Sequence, residues 1–337
     1  MLWDSLIFSF RAVMPLVLLM ALGYYVRSIG VLDKATVQKL STFCFRYLMA
    51  PMLFMNVYAL EGLGDLPLDF IAVALAGLAV LVIVSWITAK VIAQRRDQIG
   101  VITQMGFRSN YSAVGVTLAI SLCGEEGAKT AAALQAPLII VLNVLAVTFL
   151  TAYTDREGAQ VNVRGILRGI VKNPLVIGMT FGIACLAVRG LLPKNELGEP
   201  VFTLARDLPS LYSAAGMLGR ACVGMVLVML GAQLNDPGER ADKKLLAIGC
   251  ALRLVLSPVI GFAVAFGAQA LGLIRLTGPE ICVLLSFFAA PSAVNNGIMA
   301  DQIGGDAALA HRYCLWSTVL SIPTMFLWGS LAHYLWL

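Results

Sequence analysis

Ten apolar stretches dominate this 337-residue chain, at residues 5–29, 36–60, 68–93, 99–123, 129–153, 166–190, 210–234, 244–271, 278–303 and 309–336. Each meets the length of about 20 apolar residues that a helix needs to cross a bilayer, and together they leave no room for a water-soluble domain. Hydrophobic residues make up 59% of the chain and charged residues 13%, about half the charged share of a typical soluble domain. The connections, such as Glu61-Gly-Leu-Gly-Asp65-Leu-Pro67 and Asn235-Asp-Pro-Gly-Glu239, carry turn chemistry. The expected fold class is therefore all-α and integral to the membrane: a bundle of ten transmembrane helices.

Several function classes drop out. Basic residues are scattered singly between apolar runs, so no solvated basic face exists for nucleic acid. Seven cysteines lie in or beside apolar stretches without a C-x-x-C pair and read as small buried hydrophobes. The two histidines, His311 and His333, stand outside any zinc motif, and neither a metal nor another cofactor is expected. An enzyme embedded in the membrane would need paired carboxylates, a Ser/His pair or metal ligands near one face, and none is visible. The N-terminus lacks a basic leader and a cleavage site, so the first stretch reads as a retained span.

Orientation follows from the loops. With the N-terminus outside, fourteen Lys and Arg residues fall on the cytoplasmic side and six outside, while Arg46, Arg108, Arg220 and Arg253 lie within spans. Both termini are thus expected outside a cell (inner) membrane, with a cytoplasmic loop at 154–165. The chain also repeats itself. Pro15 to Gly23 in span one resembles Pro174 to Gly182 in span six, at an offset of 159. Ser112-Ala-Val114 and Gly124 in span four return as Ser292-Ala-Val294 and Gly304 in span nine, at an offset of 180. Two five-helix repeats, 1–153 and 166–337 joined by the linker 154–165, fit these offsets. Five being odd, the second repeat enters the membrane inverted, an architecture of secondary transporters.

Spans four and nine are poor continuous helices. Arg108-Ser-Asn-Tyr-Ser-Ala-Val-Gly115 and Ala289-Ala-Pro-Ser-Ala-Val-Asn-Asn-Gly297 mix proline, glycine, serine and asparagine at the centre of each span. Unwound backbone survives in hydrocarbon only when buried in protein or lining a wet cavity, and breaks at corresponding points of two repeats mark a binding site. The competing reading is a simple kink at Pro291, with asparagines bonding between helices. The candidate binding residues are Arg108, Asn110, Tyr111, Ser112 and Gly115 at the first break, and Pro291, Ser292, Ala293, Val294, Asn295 and Asn296 at the second. Asn143 in span five and Asn56 in span two are neutral polar candidates. Helix N-termini at the breaks suit an anion. Arg108 adds charge for a carboxylate, pairs with a carbonyl, or reaches toward the membrane interface.

These residues resemble the auxin efflux carrier family, which includes plant PIN-type carriers and bacterial organic-acid permeases such as malonate transporters. The likeness rests on Ala50-Pro51-Met-Leu in span two, Asn110 with Gly115, Arg253-x4-Pro258 in span eight, Ala290-Pro291 and Ile322-Pro323. Thr117 departs from it, standing where PIN-type sequences carry proline, and the central loop is far shorter than in the long plant carriers. The resemblance implies crossed, broken helices four and nine, as in sodium/proton antiporters or bile-acid symporters. It also implies a scaffold domain, a transport domain that moves like an elevator, and a carboxylate substrate, a mono- or dicarboxylate or an auxin-like acid. The alternative on the same fold is a sodium-coupled symporter of the bile-acid type, with Ser112, Thr117, Ser292, Asn295 and Asn296 supplying oxygen ligands. Coupling ion, direction of flux and assembly as monomer or homodimer stay open at this level.

Overall fold

The computed structural model describes residues 2–59, 67–154, 174–193, 200–233 and 242–336. Beyond residue 154, the expected linker 154–165 falls outside them. In chain order the helices begin with α1 (Leu2–Ser28), α2 (Lys34–Phe43) and α3 (Met49–Tyr58), the last two joined by a π turn at Cys44–Leu48. Next come α4 (Leu68–Ile92) and α5 (Arg96–Phe107), then a π turn at Tyr111–Gly115 and α6 (Val116–Ala152). The second half holds α7 (Pro174–Leu191), the short α8 (Leu204–Asp207), α9 (Pro209–Gln233) and α10 (Lys243–Ala251). A π turn at Leu252–Leu256 leads into α11 (Ser257–Ala270), followed by α12 (Gly278–Ala289), α13 (Asn296–Ile303) and α14 (Ala307–Trp336).

Proline chemistry accounts for two of the π turns. Pro51 and Pro258 lack an amide hydrogen, and each ring crowds the carbonyl four residues earlier, so the turn just before widens instead of breaking the helix. Side-chain caps set other starts. Asp33 accepts the Thr36 amide ahead of α2, Thr277 and Glu280 form a capping box on α12, and Asp306 accepts the Leu309 amide at 3.0 Å ahead of α14. Gly124 (φ 58°, ψ −136°) breaks α6, and Gly304 (φ 101°) ends α13; both occupy backbone that side-chain-bearing residues avoid. They are the two glycines that stand 180 residues apart in the sequence.

Among the described residues, six helical stretches are long and apolar enough to cross a membrane: Leu68–Ile92, Ala133–Ala152, Pro174–Leu191, Pro209–Ala232, Lys243–Ala270 and Ala307–Leu331. The π turn at Cys44–Leu48 and the interruptions near Arg108 and Pro291 divide other apolar stretches into shorter pieces. Large apolar side chains line the outside, with Ile83, Ile87, Phe181 and Leu327 more than half exposed. Such a belt is unfavourable in water and suits lipid. The protein is a multi-pass membrane protein. α3 packs along α7 and α9, and α1 along α9 and α14. α1 and α9 meet backbone to backbone, since Gly23 lies against the Val228 carbonyl and Gly231 against that of Met20, where a methyl group would collide. α4 packs on α5 and α11, and α12 on α6, α11 and α14.

Candidate functional site

The site is built where two helices stop short. α5 ends at Phe107 and α12 at Ala289, and the next residues, Arg108 (φ −88°, ψ 97°) and Ala290 (φ −61°, ψ 146°), are extended. The two extended segments cross as one antiparallel bridge, Ser109 opposite Ser292. The Asn110 amide donates to the Pro291 carbonyl at 2.7 Å, and the Ala293 amide to the Arg108 carbonyl at 3.1 Å. Asn296 Nδ2 donates to the same Arg108 carbonyl at 3.3 Å and to Ser292 Oγ at 2.8 Å. Each break thus satisfies backbone groups that the other exposes, as a low-dielectric interior requires. Proline costs nothing at 291, where only its carbonyl is used.

Arg253 holds the crossing from one side. Its side chain is fully buried, and each of its five N–H groups donates to a main-chain carbonyl. Nε donates to Ala290 at 2.9 Å, Nη1 to Gly106 and Phe107 at 3.0 and 3.2 Å, and Nη2 to Phe287 and Phe288 at 3.0 and 2.8 Å. Ser257 Oγ also donates to the Phe288 carbonyl, at 2.8 Å. These carbonyls are the C-terminal ends of α5 and α12, where helix dipoles concentrate negative charge. The guanidinium therefore finds its counter-charge in two helix ends.

On the other side, the starts of the second segments face a cavity of about 460 Å³. Arg108, 4% exposed, lies in its floor and is tied to three amide oxygens. Nη1 donates to Asn295 Oδ1 at 2.8 Å and to Asn296 Oδ1, and Nη2 to Asn143 Oδ1 at 2.6 Å. Three of five donors are used. Asn143 is fixed in turn by donating to the Ile139 carbonyl at 2.7 Å. Ser109 Oγ and Asn110 Nδ2 are buried with no hydrogen-bond partner among the described residues, and both residues line the cavity. The N-terminal amides of the segments beginning at Tyr111 and Asn296 have no intrahelical acceptors and add positive potential. Neither Asn110 nor Asn295 caps its helix through its side chain. Much of the remaining lining is apolar, with Met52, Leu53, Leu138, Leu142 and Val226, beside the polar Gln135 and Arg220.

Of the candidates from sequence, Arg108, Asn110, Tyr111, Ser112, Asn143, Ala293, Val294 and Asn295 line this cavity. Gly115, Pro291, Ser292 and Asn296 are not among its lining residues. Gly115 lets the Tyr111 ring close over it, and Ser292 Oγ points to Met105 Sδ at 3.7 Å. Tyr111 donates to the Ala131 carbonyl at 3.1 Å, so its hydroxyl is already engaged. Asn56 stands in α3, its side chain outside the described set. Ser109, Gln135 and Arg220 also line the cavity and were not singled out in the sequence. A polar residue on an apolar span was the signal, and Arg220 carried it.

Comparison with known proteins gives the same direction as the geometry. Over 133 residues, 39% of this chain, the sequence is 28% identical to Protein PIN-LIKES 2 of Arabidopsis thaliana, a match that spans 29% of that protein. Over 330 residues it is 22% identical to an uncharacterized transporter of Methanothermobacter thermautotrophicus, covering 95% of this chain and 97% of the relative. The model of the membrane transport protein family matches residues 8–329, nearly the whole chain. With crossed helix breaks around a polar-floored cavity, the chain belongs to this membrane transport protein family, that of the auxin efflux carriers.

Proposed function

We propose that this protein is a secondary carrier of organic anions in the cell membrane, with ten crossing helices arranged as two inverted repeats and both termini outside. The repeats are 1–153 and 166–337. The observation that carries the reading is the cavity floor. Unpartnered Asn110 Nδ2 and Ser109 Oγ and the spare Arg108 donors line one cavity beside two helix starts, and much of the rest of its lining is apolar. Such a site takes a carboxylate at its polar end and an apolar body against the apolar lining. The crossed segments, with α4, α5, α6 and α10 to α14, form the moving body. α1, α2, α3, α7 and α9 form the scaffold against which it slides. The cavity lies between the two.

Purified protein in liposomes tests this with a panel of carboxylates, acetate, phenylacetate, octanoate and succinate. Saturable uptake of at least one, with phenylacetamide not carried, supports the reading. Uptake of none overturns it. Replacing sodium by N-methylglucamine in the same vesicles identifies a sodium-coupled carrier by its loss of flux.

A further inference from the structure

Arg220 sits eleven residues from the start of α9 and thirteen from its end. At about 1.5 Å per residue that is about 16 and 20 Å from the helix ends, the middle of a span. An arginine there is costly unless it faces water or protein, and such residues mark substrate pathways. Arg220 lines the cavity on its α9 wall, with Nη1 lying over Gly216, whose missing side chain leaves room for it. It is exposed and has no hydrogen bond or ion pair among the described residues. None of the described residues lining the cavity is acidic. Arg108, in contrast, has most of its donors taken by asparagines. The cavity therefore carries, among the described residues, an uncompensated cation on its α9 side.

We propose that Arg220 is a second anion-recognition point, on the scaffold side, that draws the carboxylate of the incoming organic anion into the cavity before the crossing binds it. The proposal rests on the carrier reading above. A cavity lined by charge of one sign raises the local concentration of oppositely charged ligand and speeds its entry. Removing the charge should act on apparent affinity and leave the moving step alone. Because Arg220 makes no bond among the described residues, its replacement should leave folding intact.

The test compares wild type, Arg220→Gln and Arg220→Lys in liposomes, with whichever acid of the four-carboxylate panel the wild type carries. Expected is a KM about tenfold higher for Arg220→Gln at low salt, with the maximal rate within twofold and the detergent melting temperature unchanged. Arg220→Lys should restore KM to within about threefold, and the Gln defect should shrink in 0.5 M salt as the charge is screened. A wild-type KM in Arg220→Gln overturns the assignment and leaves the carrier reading standing. A lowered maximal rate with unchanged KM also overturns it. Wild-type protein that carries no member of the panel overturns the carrier reading and this one together.

Discussion

Arg253 and Arg108 are both buried guanidinium groups without a carboxylate, yet their acceptors give them different work. Arg253 is saturated by carbonyls and faces away from the cavity; Arg108 shares the cavity floor with three asparagines. Replacing Arg253 with Met leaves the carbonyls of two helix ends buried and unpaired. Loss of one buried charged partner typically costs about 3–5 kcal/mol, so Arg253→Met should fail to yield monodisperse protein, or melt far below wild type. Arg253→Lys keeps the charge but has three donors for five carbonyls, and should fall between them. Asn110→Ala removes an amide that bonds nothing among the described residues. It should weaken carboxylate binding by about 0.5–1.5 kcal/mol, read by calorimetric titration, with no change in melting temperature. Asn296→Ala should do the reverse. Its side chain holds Arg108 and Ser292, so its loss should cost about 1–3 kcal/mol of stability. The asparagines were legible in the sequence because polar residues stand out in an apolar span. The sequence does not separate Asn110 from Asn296. Nor does it reveal the partners of Arg253, which lie 34 to 147 residues away and are carbonyls that every residue possesses.

At the scale of elements, the two interruptions show why a proline motif is only part of a helix break. Pro291 alone suggests that its removal lets span nine run through as one helix. The structure holds the gap open by other means, with Arg253 and Ser257 on the carbonyls of α12 and the bridge to Ser109 across the crossing. Reforming the helix would strip α5 and α12 of these partners together. Pro291→Ala should therefore keep the interruption and change stability by less than about 1 kcal/mol, mostly through the unfolded chain, and should impair transport less than Arg253→Lys. Melting temperature and uptake rate, measured on both variants, check the order. The first break has no proline at all and was legible only through Asn110, Ser112 and Gly115. Pro51 and Pro258 mark the widened turns before them, but residue type alone does not say that the turn widens instead of breaking the helix.

Across the whole molecule, the hydropathy pattern places helices well and their length poorly. Among the described residues six helices qualify as spans by length and composition, and the interrupted ones look continuous to any average over 20 residues. The contacts gather the connections on two faces. Arg95 pairs with Asp306 at 2.7 Å, Arg96 donates to the Ala152 carbonyl at 3.2 Å, and Gln94 donates to Asp242 at 3.0 Å, gathering four connections on one face. Arg189 donates to the Tyr58 carbonyl at 3.0 Å, and the Leu204 amide to Tyr58 Oη at 2.8 Å, gathering other ends on a second face. The face of Arg95 and Arg96 also carries Lys243 and Lys244, just after Asp242. Positive loops stay in the cytoplasm because short basic segments resist translocation, so this face should be the inner one. Alkaline phosphatase fused after residue 336 should then be active in intact cells, and the same reporter fused at residue 95 or 242 should be inactive. A cytoplasm-active reporter should give the mirror pattern at each site. The opposite result would turn the molecule over and reverse the side from which Arg220 meets its anion, while the contacts among helices would stand. A reporter pattern that puts residues 58 and 95 on the same side would unite two positions that one helix, α4, is expected to carry to opposite faces, and would overturn the arrangement of helices described above.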